Sequence, residues 1–223
     1  MRGEPTSPVS SRLIIFDLDG TLVDSSTDIA NAVNYATGPY GLAPLSVTET
    51  IGLIGEGLTR LIEKILGPGR MHLHAEVMRR FLEHYEAHLA DSTHAYPGVP
   101  ETLGLLPGCR KAVVSNKRER FSRKLLAELG LLHFFDLVVG SDSVPERKPS
   151  PLPLQHAMRV LGAGPAHTAI VGDSVYDMEA GRAAGIRTIA VTYGYHDRSR
   201  LVGADILIDD FRQLESIFDA GRV

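Results

Sequence analysis

Residues 14–25 read Ile14-Ile15-Phe16-Asp17-Leu18-Asp19-Gly20-Thr21-Leu22-Val23-Asp24-Ser25, and the rest of the chain is understood from this stretch. The apolar run over 13–16 has the continuous hydrophobicity of a strand buried on both faces, as in a parallel sheet. Two carboxylates follow at spacing two, Asp17 and Asp19. Gly20 and Thr21 then end the strand. One carboxylate belongs to the strand tip and the other to the turn, both facing one small volume. Crowded acidic groups repel unless a cation or a shared proton compensates, so this end of the strand reads as a metal-assisted site. A strand end closed by an Asx-turn uses the same residue types.

Beyond Ser25 the apolar pattern changes to helical spacing. Ile29, Val33 and Ala36 recur on one face, with Ser26 or Thr27 as N-cap. A second stripe holds Leu58, Leu61, Ile62, Ile65 and Leu66, and a third Met78, Phe81, Leu82, Tyr85 and Leu89. No strand pattern interrupts 26–92, so this segment is expected to be a helical insert. From Tyr96 onward strands and helices alternate. Strand patterns cover 111–114, 137–139, 168–171, 188–191 and 206–208, and helix patterns cover 121–129 and 175–184. Ser150-Pro151 has the form of an N-cap followed by an N1 proline. This alternation, with continuously apolar strands, predicts a parallel sheet covered by helices on both faces.

Composition sets the outer bounds. The chain has 223 residues, 43% of them apolar and 22% charged, with a formal net charge of −4. That balance suits a globular protein with a real core and gives no reason to expect a nucleic-acid or acidic-membrane partner. A single cysteine, Cys109, excludes an intrachain disulfide and fits a reducing, cytoplasmic setting. No apolar run reaches membrane-spanning length. Residues 1–11 hold prolines and hydroxyl residues without an apolar core, which reads as a mobile tail and not a signal peptide. His72, His74, His84 and His88 have spacings a metal uses, but no carboxylate or cysteine joins them in the pattern.

In open α/β sheets ligands bind outside the carboxyl ends of the strands. Asp17 and Asp19 end the first strand. Ser115-Asn116-Lys117 follow the next. The strand over 137–139 leads on to Arg147-Lys148-Pro149, and the strand over 168–171 delivers Gly172-Asp173-Ser174, with Asp177 one turn further. Each residue alone has an ordinary use: Ser115 and Asp173 as helix caps, Lys148 as a loop cation, Asp177 as a first-turn acid. Together they supply hard oxygen ligands suited to Mg²⁺, a cation and hydroxyl donors for an anion, and a carboxylate nucleophile. These are the components of phosphoryl transfer.

At this point the chain resembles a known superfamily. Asp17 to Ser25 is similar to the first motif of the haloacid dehalogenase-like hydrolases. Val114-Ser115-Asn116-Lys117 resembles their second motif, Lys148-Pro149-Ser150-Pro151 their third, and Gly172-Asp173-Ser174-Val175-Tyr176-Asp177 their fourth. The resemblance implies an α/β fold, a Rossmann-like doubly wound parallel sheet core with an inserted helical cap domain. Residues 12–25 and 93–223 would form the core and 26–92 the cap. It also implies roles: Asp17 as nucleophile, Asp19 as general acid and base, and Ser115, Asn116 and Lys148 as the phosphate clamp. Asp17, the Asp19 carbonyl and Asp173 would hold Mg²⁺, with Asp177 in support. Aspartate at position 19 resembles the phosphatases of the superfamily rather than its dehalogenases.

Ile54-Gly55-Glu56-Gly57-Leu58-Thr59-Arg60, Tyr96-Pro97-Gly98-Val99 and Val191-Thr192-Tyr193-Gly194-Tyr195 resemble the phosphoglycolate-hydrolysing group. Gly55, Glu56, Gly57 and Arg60 would then form a substrate loop in the cap. Pyrophosphatases and sugar-phosphate phosphatases or phosphomutases share versions of these segments. The expectation is a Mg²⁺-dependent phosphatase, monomer or homodimer, acting on a small phosphorylated metabolite through an aspartyl-phosphate, with 2-phosphoglycolate the first candidate. No nucleic-acid or membrane partner is expected.

Overall fold

The computed structural model describes residues 12–106, 108–201 and 203–219; the tail expected over 1–11 lies outside them. The first strand, β1 (Arg12–Phe16), leads to the two-residue strand β2 (Val23–Asp24) and a helical segment. That segment comprises α1 (Ser26–Thr37), α2 (Val47–Ile51), α3 (Leu58–Leu66) and α4 (His74–His88). The chain returns through β3 (His94–Ala95) and α5 (Val99–Leu105). Alternation follows: β4 (Cys109–Val114), α6 (Glu119–Glu128), β5 (Leu137–Val139), α7 (Leu152–Val160), β6 (Thr168–Gly172) and α8 (Val175–Ala184). The end is β7 (Arg187–Val191), β8 (Ile206–Ile208) and α9 (Gln213–Asp219).

Six strands form one sheet in the order β5-β4-β1-β6-β7-β8, and every pairing is parallel. The order runs outward in both directions from β1 and β6, as in doubly wound nucleotide-binding folds, so the switch point lies between those two strands. Alternation along β1 explains its unbroken hydrophobicity. Ile14 and Phe16 enter one apolar cluster, with Val99, Phe121 and Leu214 from α5, α6 and the start of α9. Leu13 and Ile15 enter another, against Leu154 and Ala157 of α7 and Ala180 of α8. All four side chains are fully buried, each stabilising the fold by about 1.5–3 kcal/mol relative to exposure.

The helices after β2 share the first of those clusters: Ile29 and Val33 of α1, Leu61 of α3, and Phe81 and Tyr85 of α4 belong to it. Both connections to this segment run side by side. β2 pairs antiparallel with β3, Val23 opposite Ala95 and Asp24 opposite His94. The buried Asp28 carboxylate on α1 accepts from Ser92 N–H, from Thr93 N–H at 2.8 Å and from Thr93 Oγ at 2.6 Å.

Two elements begin differently from their sequence pattern. The helix expected to cap at Ser150 starts at Leu152, with Pro151 at the cap position. α1 starts at Ser26, but Ser25 makes no side-chain cap bond; the Asp24 carboxylate takes Ser26 N–H instead, at 3.0 Å. A carboxylate two residues back reaches that donor in an Asx-turn.

Candidate active site

The ladder ends place the polar residues. Asp17 N–H donates to Val171 O at 2.9 Å, and Ser115 N–H to Val139 O at 3.0 Å. Asp17 and Ser115 are therefore the first residues past the carboxyl ends of β1 and β4. Asp173 follows β6 directly, across the switch point from Asp17. The turn after Asp19 is closed by Gly20 N–H on Val23 O and by three N–H groups on Leu18 O. Gly20 has φ +84°, and a Cβ there would collide with the Asp173 carboxylate. Glycine is needed on both counts.

Asp17, Asp173 and Asp177 each bring a carboxylate oxygen to within 4.8 Å of the others. Asp173 and Asp177 are buried and the Asp17 side chain is 13% exposed. The Lys148 ammonium, 2% exposed, lies among them, 2.6 Å from Asp177 Oδ1 and 2.9 Å from Asp17 Oδ1. It also donates to Val114 O at 2.7 Å. Burial would discharge this lysine, but Asp17 and Asp177 hold its pKa above the usual value. Burial pushes the Asp17 carboxyl up to about 6, against the opposing pull of Lys148. Burial raises Asp173 as well, opposed by the hydrogen bond from His196.

The cluster has the chemistry of a hard-cation site. Two buried carboxylates and the largely covered Asp17 face one ammonium, an excess of negative charge that low dielectric makes costly. Asp17 Oδ1 is buried and makes no hydrogen bond beyond its ion pair with Lys148. Asp177 is already occupied, Oδ1 by Lys148 and Oδ2 by Ser174 in the capping box that starts α8. Asp17 Oδ1 keeps free lone pairs beside Asp173, whose neighbours Thr21 and Tyr195 are neutral donors, so the residues fit a divalent cation bound by those two and steadied by Asp177.

Asp19 faces elsewhere. Its carboxylate accepts from Lys117 Nζ at 2.7 and 2.9 Å and from Ser25 Oγ at 2.5 Å. Burial works against the Lys117 charge, but the Asp19 carboxylate holds its pKa above the usual value. Asp17, Asp19, Ser115, Asn116, Lys117, Lys148 and Ser174 line one cavity of about 90 Å³.

Ser115 Oγ accepts Lys117 N–H at 3.3 Å, which leaves its own hydrogen to donate. Asn116 is placed differently from a simple phosphate donor. Its Nδ2 bonds Gly55 O at 2.8 Å and Lys148 O at 3.0 Å, so both amide hydrogens tie loops together. Gly55 and Gly57 line the cavity. Glu56 and Arg60 do not: Arg60 is half-exposed and paired with Glu63 and Glu56, and Glu56 also pairs with Lys64.

Several contributors had no assigned role in the sequence, although Thr21 and Tyr195 lie in segments singled out there. Buried Thr21 donates to Asp173 Oδ1 at 3.3 Å, and Tyr195 N–H to Asp173 Oδ2 at 2.7 Å. His196 Nδ1 lies 3.5 Å from Asp173 Oδ2. Lys117 belongs to a quoted motif, yet nothing in the sequence says that it turns toward Asp19.

A parallel sheet with acidic groups and a buried lysine at its switch point is the arrangement of an α/β enzyme of phosphoryl-transfer type. Residues 14–191 match the haloacid dehalogenase-like hydrolase family, and the chain belongs to that family. It is 43% identical to a phosphoglycolate phosphatase of Chromobacterium violaceum over 220 residues, 94% of this chain and 97% of that one. It is 41% identical to a phosphoglycolate phosphatase of Aquifex aeolicus, over 82% of this chain and 86% of that one. The crystal structure of a predicted phosphoglycolate phosphatase from Haemophilus somnus superposes with TM-score 0.87 at 31% identity, covering 95% of this chain and all of the other. Among the described residues no helix is long and apolar enough to cross a membrane.

Proposed function

We propose that the protein hydrolyses 2-phosphoglycolate to glycolate and phosphate, with Mg²⁺, through a phosphoryl group carried on Asp17. The observation that carries the chemistry is the convergence of Asp17, Asp173 and Lys148 at the switch point with Asp19 on the same cavity wall. The substrate follows from the relatives named phosphoglycolate phosphatase.

In the first step an Asp17 oxygen attacks phosphorus, the bond to the glycolate oxygen breaks, and Asp19 gives that oxygen a proton. In the second, Asp19 takes a proton from water. The water oxygen attacks phosphorus and the Asp17–phosphorus bond breaks, restoring the carboxylate. Lys148 and the Ser115 hydroxyl hold the phosphoryl oxygens in both steps. Mg²⁺, held by Asp17, the Asp19 carbonyl and Asp173 with Asp177 in support, supplies positive charge that lets a carboxylate approach a phosphate dianion.

Residues 26–92 act as a cap over a core of 12–25 and 93–223. The paired ribbon of β2 and β3 carries the hinge, and the loop at Gly55–Gly57 closes over the substrate to exclude water. Asn116 bridges that loop to Lys148, which supports its closing on the phosphate site.

The test is phosphate release from a panel of phosphorylated metabolites with Mg²⁺. 2-Phosphoglycolate is expected to give the highest kcat/KM. A sugar phosphate or pyrophosphate turned over about tenfold better would overturn the substrate. Activity is expected to stop in excess chelator, to return with Mg²⁺ and to return poorly with Ca²⁺, whose longer bonds and higher coordination number tie up the attacking oxygen.

A further inference from the structure

The cavity beside Asp19 is mostly apolar, walled by Ile29, Ile54, Leu58, Leu61, Phe81 and Phe121. Beside the phosphate and acidic-cluster residues, Asp19 and the helix-capping Ser174, the polar wall residues are Lys117, Arg118 and Tyr85. Lys117 is buried, its side chain 8% exposed. An ammonium has three N–H donors. Two of the Lys117 bonds go to Asp19, and the third donor is turned toward the Tyr85 hydroxyl. Nζ stands 5.0 Å from the centre of the Tyr85 ring.

Tyr85 comes from α4, across the cavity from the loop after β4. It is 2% exposed; the Lys117 ammonium is the one donor that reaches its hydroxyl oxygen, and the hydroxyl's own hydrogen has no acceptor among the described residues. A buried hydroxyl whose hydrogen is left unpaired is uncommon and costly, and it points to an absent acceptor. Burial pushes the phenol up to about 12, so it remains a neutral donor at ordinary pH. Arg118 is exposed and adds positive potential on the same wall.

The geometry points to a subsite in which Lys117 Nζ and Tyr85 Oη hold the carboxylate of the leaving group, making these two residues the determinants of substrate choice. This inference rests on the proposed hydrolysis of a carboxylate-bearing phosphate ester. A carboxylate needs a cation and one or two donors, and that is what this wall offers. A sugar would bring several hydroxyls against Ile, Leu and Phe side chains and leave them unpaired. The subsite draws one residue from the helical segment and one from the sheet edge, so it is complete only when the two are together.

The test compares kcat/KM on 2-phosphoglycolate with kcat/KM on ethyl phosphate, which has the same two carbons without the carboxylate. Wild type is expected to prefer 2-phosphoglycolate. Lys117→Met should lower that preference by about 10- to 100-fold and Tyr85→Phe by about tenfold, the range for a hydrogen bond to a charged group. Lys117→Arg should recover part of the loss. Lys117 also pairs with Asp19, so Lys117→Met will slow both substrates, and the ratio removes that common loss. Tyr85 makes no bond to Asp19, so its variant decides the matter if Lys117→Met folds poorly. An unchanged ratio in both variants would overturn the subsite, leaving Lys117 as a positioning residue for Asp19 and Tyr85 as packing. A wild-type enzyme without any preference for the carboxylate ester would overturn the substrate reading itself.

Discussion

Burial makes the ionised form of Asp17 costly to the folded protein, a cost the proposed cation would relieve. Burial raises its carboxyl to about 6, against about 3.9 in an unfolded chain. Below pH 4 both states hold the proton. Between about 4 and 6 the unfolded chain releases it while the folded protein retains it, so folding loses free energy as pH rises, and the full cost is present above 6. Asp17→Asn removes the titration. In excess chelator the variant is expected to be more stable than wild type by on the order of 1 kcal/mol above pH 6. That advantage should shrink toward pH 4. Urea melts of both proteins across that range measure the difference, and an advantage that grows on acidification would mean that Asp17 is ionised and well compensated without metal. At this scale the sequence was informative where residues end strands. Asp17, Ser115 and Asp173 each follow a ladder end, and strand ends can be located from apolar runs. It was uninformative about orientation. The commitment of both Asn116 amide hydrogens and the turn of Lys117 toward Asp19 depend on packing between elements far apart in the chain.

The paired connections to the helical segment depend on Asp28. Its buried carboxylate accepts from two backbone N–H groups and one hydroxyl of Ser92 and Thr93. Asp28→Ala leaves these donors without a partner and should cost about 3 kcal/mol, in line with loss of several charge-assisted bonds at a buried site. Asp28→Asn keeps the shape and one acceptor and should cost less. Denaturant unfolding checks both; a loss under about 1 kcal/mol for Asp28→Ala would mean that water replaces the carboxylate easily. This anchor was hidden in the sequence because Asp28 looks like an ordinary first-turn acid of α1. The two-residue strands β2 and β3 are too short for any alternating pattern. α2 escaped notice for the same reason of length, although its Ser46…Glu49 capping box is present in the sequence and formed in the structure. The long elements were legible: α3 spans Leu58–Leu66 and α8 Val175–Ala184, the extents that apolar spacing and flanking glycines imply.

For the whole molecule, the acidic cluster and much of the cavity wall come from different parts of the chain. The carboxyl ends of the strands supply the proposed reacting groups, and the segment after β2 supplies much of the cavity wall. Enlarging Gly57, whose added Cβ would press on Asn116 O, should raise KM for 2-phosphoglycolate several-fold. It should act far less on a small aryl phosphate, whose good leaving group asks little of the wall; equal losses on both would place the loop in the core chemistry. The doubly wound topology was foreseeable from strand–helix alternation, because parallel strands need crossover helices. How the helical segment shares the apolar cluster of one sheet face was not, because helical periodicity shows that a face is buried without showing against what. The most direct measurement of the central claim is kcat for Asp17→Asn on 2-phosphoglycolate at saturating Mg²⁺, beside wild type, with the fold checked by thermal melting. With Asp17 as the nucleophile, the variant stays folded and turnover falls by about a thousandfold or more, a barrier rise of about 4 kcal/mol. A folded variant that keeps a tenth or more of the wild-type kcat, about 1.4 kcal/mol or less, would contradict it.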